Sequence, residues 1–277
     1  MLAVAAVLLA LWPALTAPAV APPDLRGGLV VAYTPLGYAP DPSWRPRAAG
    51  LRADADSLRR IGAVAVVTER STRALAPVCR FLKRRGIRTV IVGVADPTDA
   101  AELRVARRLR RCADGYAVGS GGLVSRRYAR RSLERAVAAL RRDTGRPVAV
   151  RERIESYRAD PGLLRLGDWV FPLVDADPRH GAQEACGATM QAYQTLRARV
   201  PPDRRVVVAA AGLPTAVAPA ANEHAQRAYL TCLASRDIPF VLDEAYDQPW
   251  RGGAGATRGV FRADGTPKRF AARWRRP

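Results

Sequence analysis

From residue 29 onward the chain alternates short runs of β-branched and small apolar residues with amphipathic helical stretches. The first run is Leu29-Val30-Val31-Ala32-Tyr33, followed by a helix expected around 48–61. Ala63-Val64-Ala65-Val66-Val67 comes next, and its helix sets Leu75, Val78, Cys79 and Leu82 on one face at the i, i+3, i+4, i+7 spacing of a helical stripe. Gly86 stands where a helix C-cap glycine belongs, ahead of Arg88-Thr89-Val90-Ile91-Val92. The third helix is expected over 98–111, and strand four over 115–119 leads to a helix with Leu133, Ala136, Val137 and Leu140 inward. Strands are further expected over 147–150, 168–174, 205–210 and 239–243. The helices between them are read at 161–166, 182–199 and 222–235, the second burying Cys186, Met190 and Tyr193.

Eight such units in about 250 residues are the count and size of a single (β/α)8 TIM barrel in the α/β class. The near-continuous apolar strands suit a parallel sheet covered on both faces. An open doubly wound sheet would need a phosphate loop after an early strand, and neither G-x-G-x-x-G nor a Walker sequence occurs. No linker divides the chain, so residues 22–277 read as one domain.

Ahead of that domain lies MLAVAAVLLALWPALTAPAVA, almost wholly apolar from Leu2 to Leu15. This run is short for a membrane span and suits the core of a signal peptide. Residues 1–21 are therefore expected to be a signal peptide or an N-terminal hydrophobic anchor, which places the protein in the periplasm or outside the cell. Export permits disulfides. The four cysteines form no C-x-x-C and have no histidine at metal-ligand spacing, so neither a metal nor a cofactor is expected. The expected pairs are Cys79–Cys112 and Cys186–Cys232, each joining sequential helices.

The formal charge is +20, and all but two of the 45 basic residues are arginine. A surface this basic attracts polyanions: an anionic envelope polymer or a membrane surface. No recognition helix, RNP-type aromatic pattern or zinc-finger spacing is present, so specific nucleic-acid readout is not expected.

The stretch Asp243-Glu244-Ala245-Tyr246-Asp247-Gln248-Pro249-Trp250-Arg251 resembles the E-A-F-D-Q-P-W-K that ends the barrel in bacterial family 17 glycoside hydrolases, the β-1,3-glucanases and glucanosyltransferases. Ala32-Tyr33-Thr34-Pro35 is similar to that family's A-Y-S-P, Val118-Gly119 to the start of V-G-N-E, and Gly212-Leu213-Pro214-Thr215 to G-W-P-S. Gly259-Val260-Phe261, Asp264-Gly265 and Pro267-Lys268 resemble its closing motifs. The resemblance implies a barrel with a glycan partner and a catalytic glutamate at the ends of strands four and seven. The two aligned positions here are Gly121 and Ala210. No Asp or Glu lies between Gly115 and Leu133 or between Arg204 and Asn222, so no shift of register restores either. Retaining hydrolysis needs two carboxyl groups roughly 5–5.5 Å apart, and neither glycine nor alanine supplies one.

Sugar-stacking groups of the family are missing as well: G-W-P-S has Leu213, and P-Y-W reads Pro172-Leu173-Val174. The acids left near strand ends are Glu69, Asp96, Glu152, Glu155, Asp175, Asp177, Glu244 and Asp247. Tyr33, Asp247, Gln248, Trp250 and Arg251 are the candidates for a remaining ligand surface. Three functions stay open: a catalytically inactive glycan-associated pseudoglycosidase, a β-1,3-glucan hydrolase or transglycosidase with relocated carboxylates, and a basic protein that binds anionic envelope polymers.

Overall fold

The computed structural model describes residues 21–274. The expected signal peptide or anchor, residues 1–21, lies outside the described residues except for Ala21. Among the described residues no helix is long and apolar enough to cross a membrane.

Seven parallel strands form one curled sheet: β1 (Leu29–Tyr33), β2 (Ala63–Thr68), β3 (Thr89–Val94), β4 (Gly115–Val118), β5 (Val148–Val150), β6 (Val208–Ala211) and β7 (Phe240–Leu242). Their order is β5-β4-β3-β2-β1-β7-β6. The expected strand over 168–174 is not a regular strand. It is held by isolated parallel bridges, Val150↔Val170 and Arg153↔Leu173 on one side and Val170↔Val206 and Leu173↔Ala210 on the other. Pro172, which has no N–H, interrupts the ladder there, yet its carbonyl accepts from Ala209 N at 2.7 Å. Segment 168–174 thus lies between β5 and β6 and is hydrogen-bonded to both.

The helices return outside the sheet: α1 (Ala48–Arg60), α2 (Ala76–Arg84), α3 (Ala100–Arg108), α4 (Arg130–Thr144), α5 (Ile154–Ala159), α6 (Leu163–Leu166), α7 (Ala182–Arg197), α8 (Glu223–Ala234) and α9 (Arg269–Arg273). Asp99 and Asn222 cap α3 and α8 by accepting from backbone N–H groups of the first turn. Gly145, at φ +64°, closes α4 in the left-handed region that favours glycine. Sequence periodicity misses α5, whose six residues are too few to display a stripe. In α7 the inward face is Ala185, Cys186, Thr189, Ala192 and Leu196, while Met190 and Tyr193 are only partly covered.

Strand alternation separates two apolar layers. Val30, Ala32, Ala65, Val67, Ile91, Ala117, Ala149, Val207, Ala209 and Val241 face the inside of the curl, joined by Trp169 and Phe171 from segment 168–174. Leu29, Val31, Tyr33, Val66, Val90 and Val92 face the helices. The inner side chains are mostly small, so the two large rings fill the remaining space, their centroids 5.9 Å apart. Buried acids tie the layers. Glu102 accepts from the backbone of Ser71, Ala95 and Asp96, and Asp168 accepts from Val148 N at 2.7 Å while pairing with Arg141.

Cys79 is bonded to Cys112 and Cys186 to Cys232, with Cα separations of 6.0 and 6.3 Å. The first bridge staples α2 to the end of α3, the second α7 to α8. The chain-entropy model puts a bridge across loops of 33 and 46 residues at about 4 kcal/mol each. Denatured, unreduced protein should therefore show no titratable thiol, and reduction should lower the melting temperature. Four titratable thiols would contradict the pairing.

Candidate functional site

The C-terminal edge of the sheet gathers charge from the ends of β2, β5, segment 168–174 and β7. Glu69 follows β2, Arg151 and Arg153 follow β5, Asp175 follows segment 168–174, and Asp243 and Glu244 follow β7. A 3-10 turn over Pro249–Arg251 brings in Arg251, and Arg258 lies in the loop beyond it.

These residues form two linked chains of ion pairs. Arg251 Nη2 lies 3.4 Å from Glu69 Oε2 and 3.3 Å from Glu244 Oε2. Arg151, almost wholly buried, reaches Glu69 Oε1 at 3.7 Å and donates to the Glu69 carbonyl at 3.0 Å. In the second chain Arg258 Nη1 lies 3.1 Å from Asp175 Oδ1 and 3.2 Å from Asp243 Oδ2, and Arg153 pairs with the other oxygen of Asp175. Four acids thus meet four arginines.

The pairs set protonation. Burial pushes the Glu69 carboxyl up, but Arg151 and Arg251 outweigh it and hold it below the ordinary glutamate range. Asp175 is held low in the same way, with Arg258 and Arg153 overcoming burial. Glu244 goes the other way. It is 3% exposed, its Oε1 has no hydrogen-bond partner, and burial pushes it well above the ordinary value despite Arg251. Glu152 is also raised by burial, although Tyr128 Oη and Leu123 N donate to it.

Gly121 and Ala210, the positions that the sequence resemblance sets against glutamates, stand on this edge. Gly121 has φ +76°, and a Cβ there would meet Arg153 Cγ at 3.1 Å, so the loop after β4 favours glycine and Arg153 occupies the adjoining space. Ala210 is buried in β6 and bridged to Leu173.

The structure separates the five candidate ligand residues. Tyr33 is not at the edge's opening: alternation along β1 turns it toward the helices, where its hydroxyl donates to buried Asp54 at 2.6 Å. Asp247 does not face a ligand surface. It accepts from buried Lys268 Nζ at 2.7 Å and from Gly259 N at 2.9 Å, fastening the C-terminal segment. Gln248 is buried and accepts from Trp250 Nε1, fixing that ring. Trp250 and Arg251 do belong to the opening, with the guanidinium 5.0 Å from the indole centroid.

Trp250, 40% exposed, is joined by two aromatics that sequence reasoning missed. Tyr38 packs edge-on against Trp250 at 5.5 Å and against Trp44 at 4.9 Å. Both come from the loop between β1 and α1, and they restore aromatic surface to a rim that sequence comparison reads as depleted. Arg151, Arg153 and Arg258 were also missed. The available signal was Arg151 directly after the buried strand β5, where a charge requires a partner. No group of three or more His, Cys, Asp or Glu side chains suited to a metal occurs among the described residues.

No protein-family model and no curated protein sequence matches the chain. Solved structures do. A glycoside hydrolase family 17 β-1,3-glucanosyltransferase from Rhizomucor miehei superimposes with a TM-score of 0.74 at 18% identity, over 88% of this chain and 96% of that one. A β-1,3-glucanase and pollen allergen of Cryptomeria japonica gives 0.66 at 13% identity, over 87% and 97%. A Bacteroides uniformis β-glucuronidase gives 0.64 at 17% identity, over 92% of this chain but 35% of its own. The chain thus has an α/β fold like that of family 17 glycoside hydrolases.

Two outcomes follow from this geometry. Tyr33→Phe removes a donor to buried Asp54, leaving it Leu36 N, and should cost about 1–3 kcal/mol of stability, measured by denaturant unfolding. An unfolded glutamate ionises near 4.5, whereas folded Glu244 keeps its proton to higher pH. Its contribution to stability is therefore lost as pH rises through that window. Glu244→Gln should flatten this decline in thermal melts, and an unchanged slope would contradict the raised value. Glu69 and Asp175, held low, lose their contribution only on acidification.

Proposed function

We propose that this protein is a catalytically inactive, β-glucan-associated member of the family 17 glycoside-hydrolase type, exported and working at the cell envelope on a closed (β/α)8 barrel with segment 168–174 as its sixth stave. The observation that carries the reading is the pair Gly121 and Ala210 at the strand ends where the family's pattern has glutamates. Neither can donate a proton or attack an anomeric carbon. The other acids of the opening face arginines. Meanwhile Tyr38, Trp44 and Trp250 offer ring faces and edges on the rim, the kind of surface that packs against sugar C–H groups.

The similar fungal transferase has been solved with laminaritriose in an active-site mutant, so β-1,3-glucan is the first ligand to test.

One observation favours the second reading, a hydrolase with relocated carboxylates. Glu69 and Glu244 share Arg251 Nη2 and are pushed in opposite directions, the arrangement expected of a base and an acid. Burial of Glu244 and the guanidinium between the two acids weigh against it, because a glycosidic bond has no room there.

The purified protein should release no reducing ends and form no transfer products on laminarin. It should bind laminari-oligosaccharides, and Trp250→Ala should weaken that binding about tenfold. Turnover abolished by Glu69→Gln would establish the second reading. Absence of binding to any β-glucan would overturn the first.

A further inference from the structure

At the C-terminal edge Arg151, Arg153, Arg251 and Arg258 meet four acids, while exposed Arg45, Arg47, Arg73, Arg126 and Arg127 in its loops have no carboxylate within ion-pair distance among the described residues. The opposite edge, where strands begin and helices end, also carries unpaired arginines, and these cluster at helix ends. Four basic residues fall between 83 and 88 and four more between 107 and 111, at the ends of α2 and α3. Asp114 there is taken by Lys83, Asp143 by Arg107 and Arg142, and Asp24 by Arg26. Arg84, Arg108, Arg110, Arg111 and Arg146 are exposed and have no carboxylate within ion-pair distance among the described residues. A helix dipole places only about half a negative charge at each C-terminus, less than these clusters supply.

A second observation falls on the same edge. Residues 23–26 run across it: Pro23 O accepts from Arg205 Nη1 at 3.1 Å, Asp24 O accepts from Thr89 Oγ1 at 3.0 Å, and Arg26 O accepts from Arg88. The covalent connection to the apolar run Leu2–Leu15 is therefore made here. The seven residues between Leu15 and Pro23 span at most about 25 Å when extended.

We propose that the strand-N-terminal edge is a docking face for an anionic phospholipid bilayer, on which unpaired arginines meet lipid phosphates beside the chain's own apolar N-terminal run. The opposite edge, with its aromatic rim, then faces away from the membrane. The arginine positions suit a bilayer because they lie along one edge of the sheet, fed by several helices, rather than along a single groove. Basic residues near an anionic leaflet add their attractions, and these fade within a Debye length of about 8–10 Å.

The test is cosedimentation of the full chain with vesicles of pure phosphatidylcholine and of phosphatidylcholine containing about one third phosphatidylglycerol. The apolar run is common to every sample, so only the anionic preference is read. The natural protein should prefer the anionic vesicles by at least about 100-fold, and salt should reduce that preference. Replacing Arg84, Arg108, Arg110, Arg111 and Arg146 with glutamine should abolish it. Replacing Arg45, Arg47, Arg126, Arg179 and Arg262 instead makes the same net-charge change away from this edge and should leave most of the preference intact. Circular dichroism would confirm that both variants fold. Equal losses in the two variants would overturn the proposal, as would tighter binding to soluble dextran sulfate with no anionic-vesicle preference.

Discussion

One guanidinium, that of Arg251, stands between Glu69 and Glu244, and one of the two ion-pair chains of the C-terminal edge is built on it. It ties the end of β2 to the end of β7 across β1, which lies between them in the sheet. Arg151 extends the tie from β5 to Glu69, and Arg258 with Arg153 joins Asp243 to Asp175. Charges brought out of water cost several kcal/mol each unless they are paired. Removing Arg251 would leave Glu244 without its arginine, and removing Arg258 would do the same to Asp243, whereas Glu69 and Asp175 each have two arginine partners. The edge is thus a mutually dependent set that covers the apolar inner layer formed by Val67, Ile91, Trp169 and Phe171.

That dependence shapes the chemistry. Arginines hold the carboxyls of Glu69 and Asp175 below the ordinary range, whereas burial raises that of Glu244 and shuts it off from solvent. Gly121 belongs to the same arrangement, because its left-handed backbone and the Arg153 side chain beside it leave little room for a longer residue. The glycine and the arginine thus fit together at this edge. The aromatic rim meets the ion pairs where Trp250 lies 5.0 Å from the Arg251 guanidinium.

Much of the fold was legible in the sequence, since β-branched runs and helical stripes report burial directly. Segment 168–174 reads as a strand because its residues are apolar; Pro172 makes it an irregular one. The site was less legible. Tyr33 sits in a motif suggestive of ligand contact, but the parity of β1, with Val30 and Ala32 inward, sends it to the helices. Asp247 reads as a candidate ligand residue, yet it is taken by Lys268, 21 residues away, a contact that only folding creates. The arginine clamps are not legible in the sequence because their partners lie on other strands, Arg151 being 82 residues from Glu69 and Arg258 83 from Asp175.

The most direct test of this account is a crystal structure of the protein after prolonged incubation with laminaritriose. The account predicts an intact trisaccharide against Tyr38 and Trp250, with Arg251 still bridging Glu69 and Glu244. A cleaved sugar, or one seated between Glu69 and Glu244 with Arg251 displaced, would contradict it.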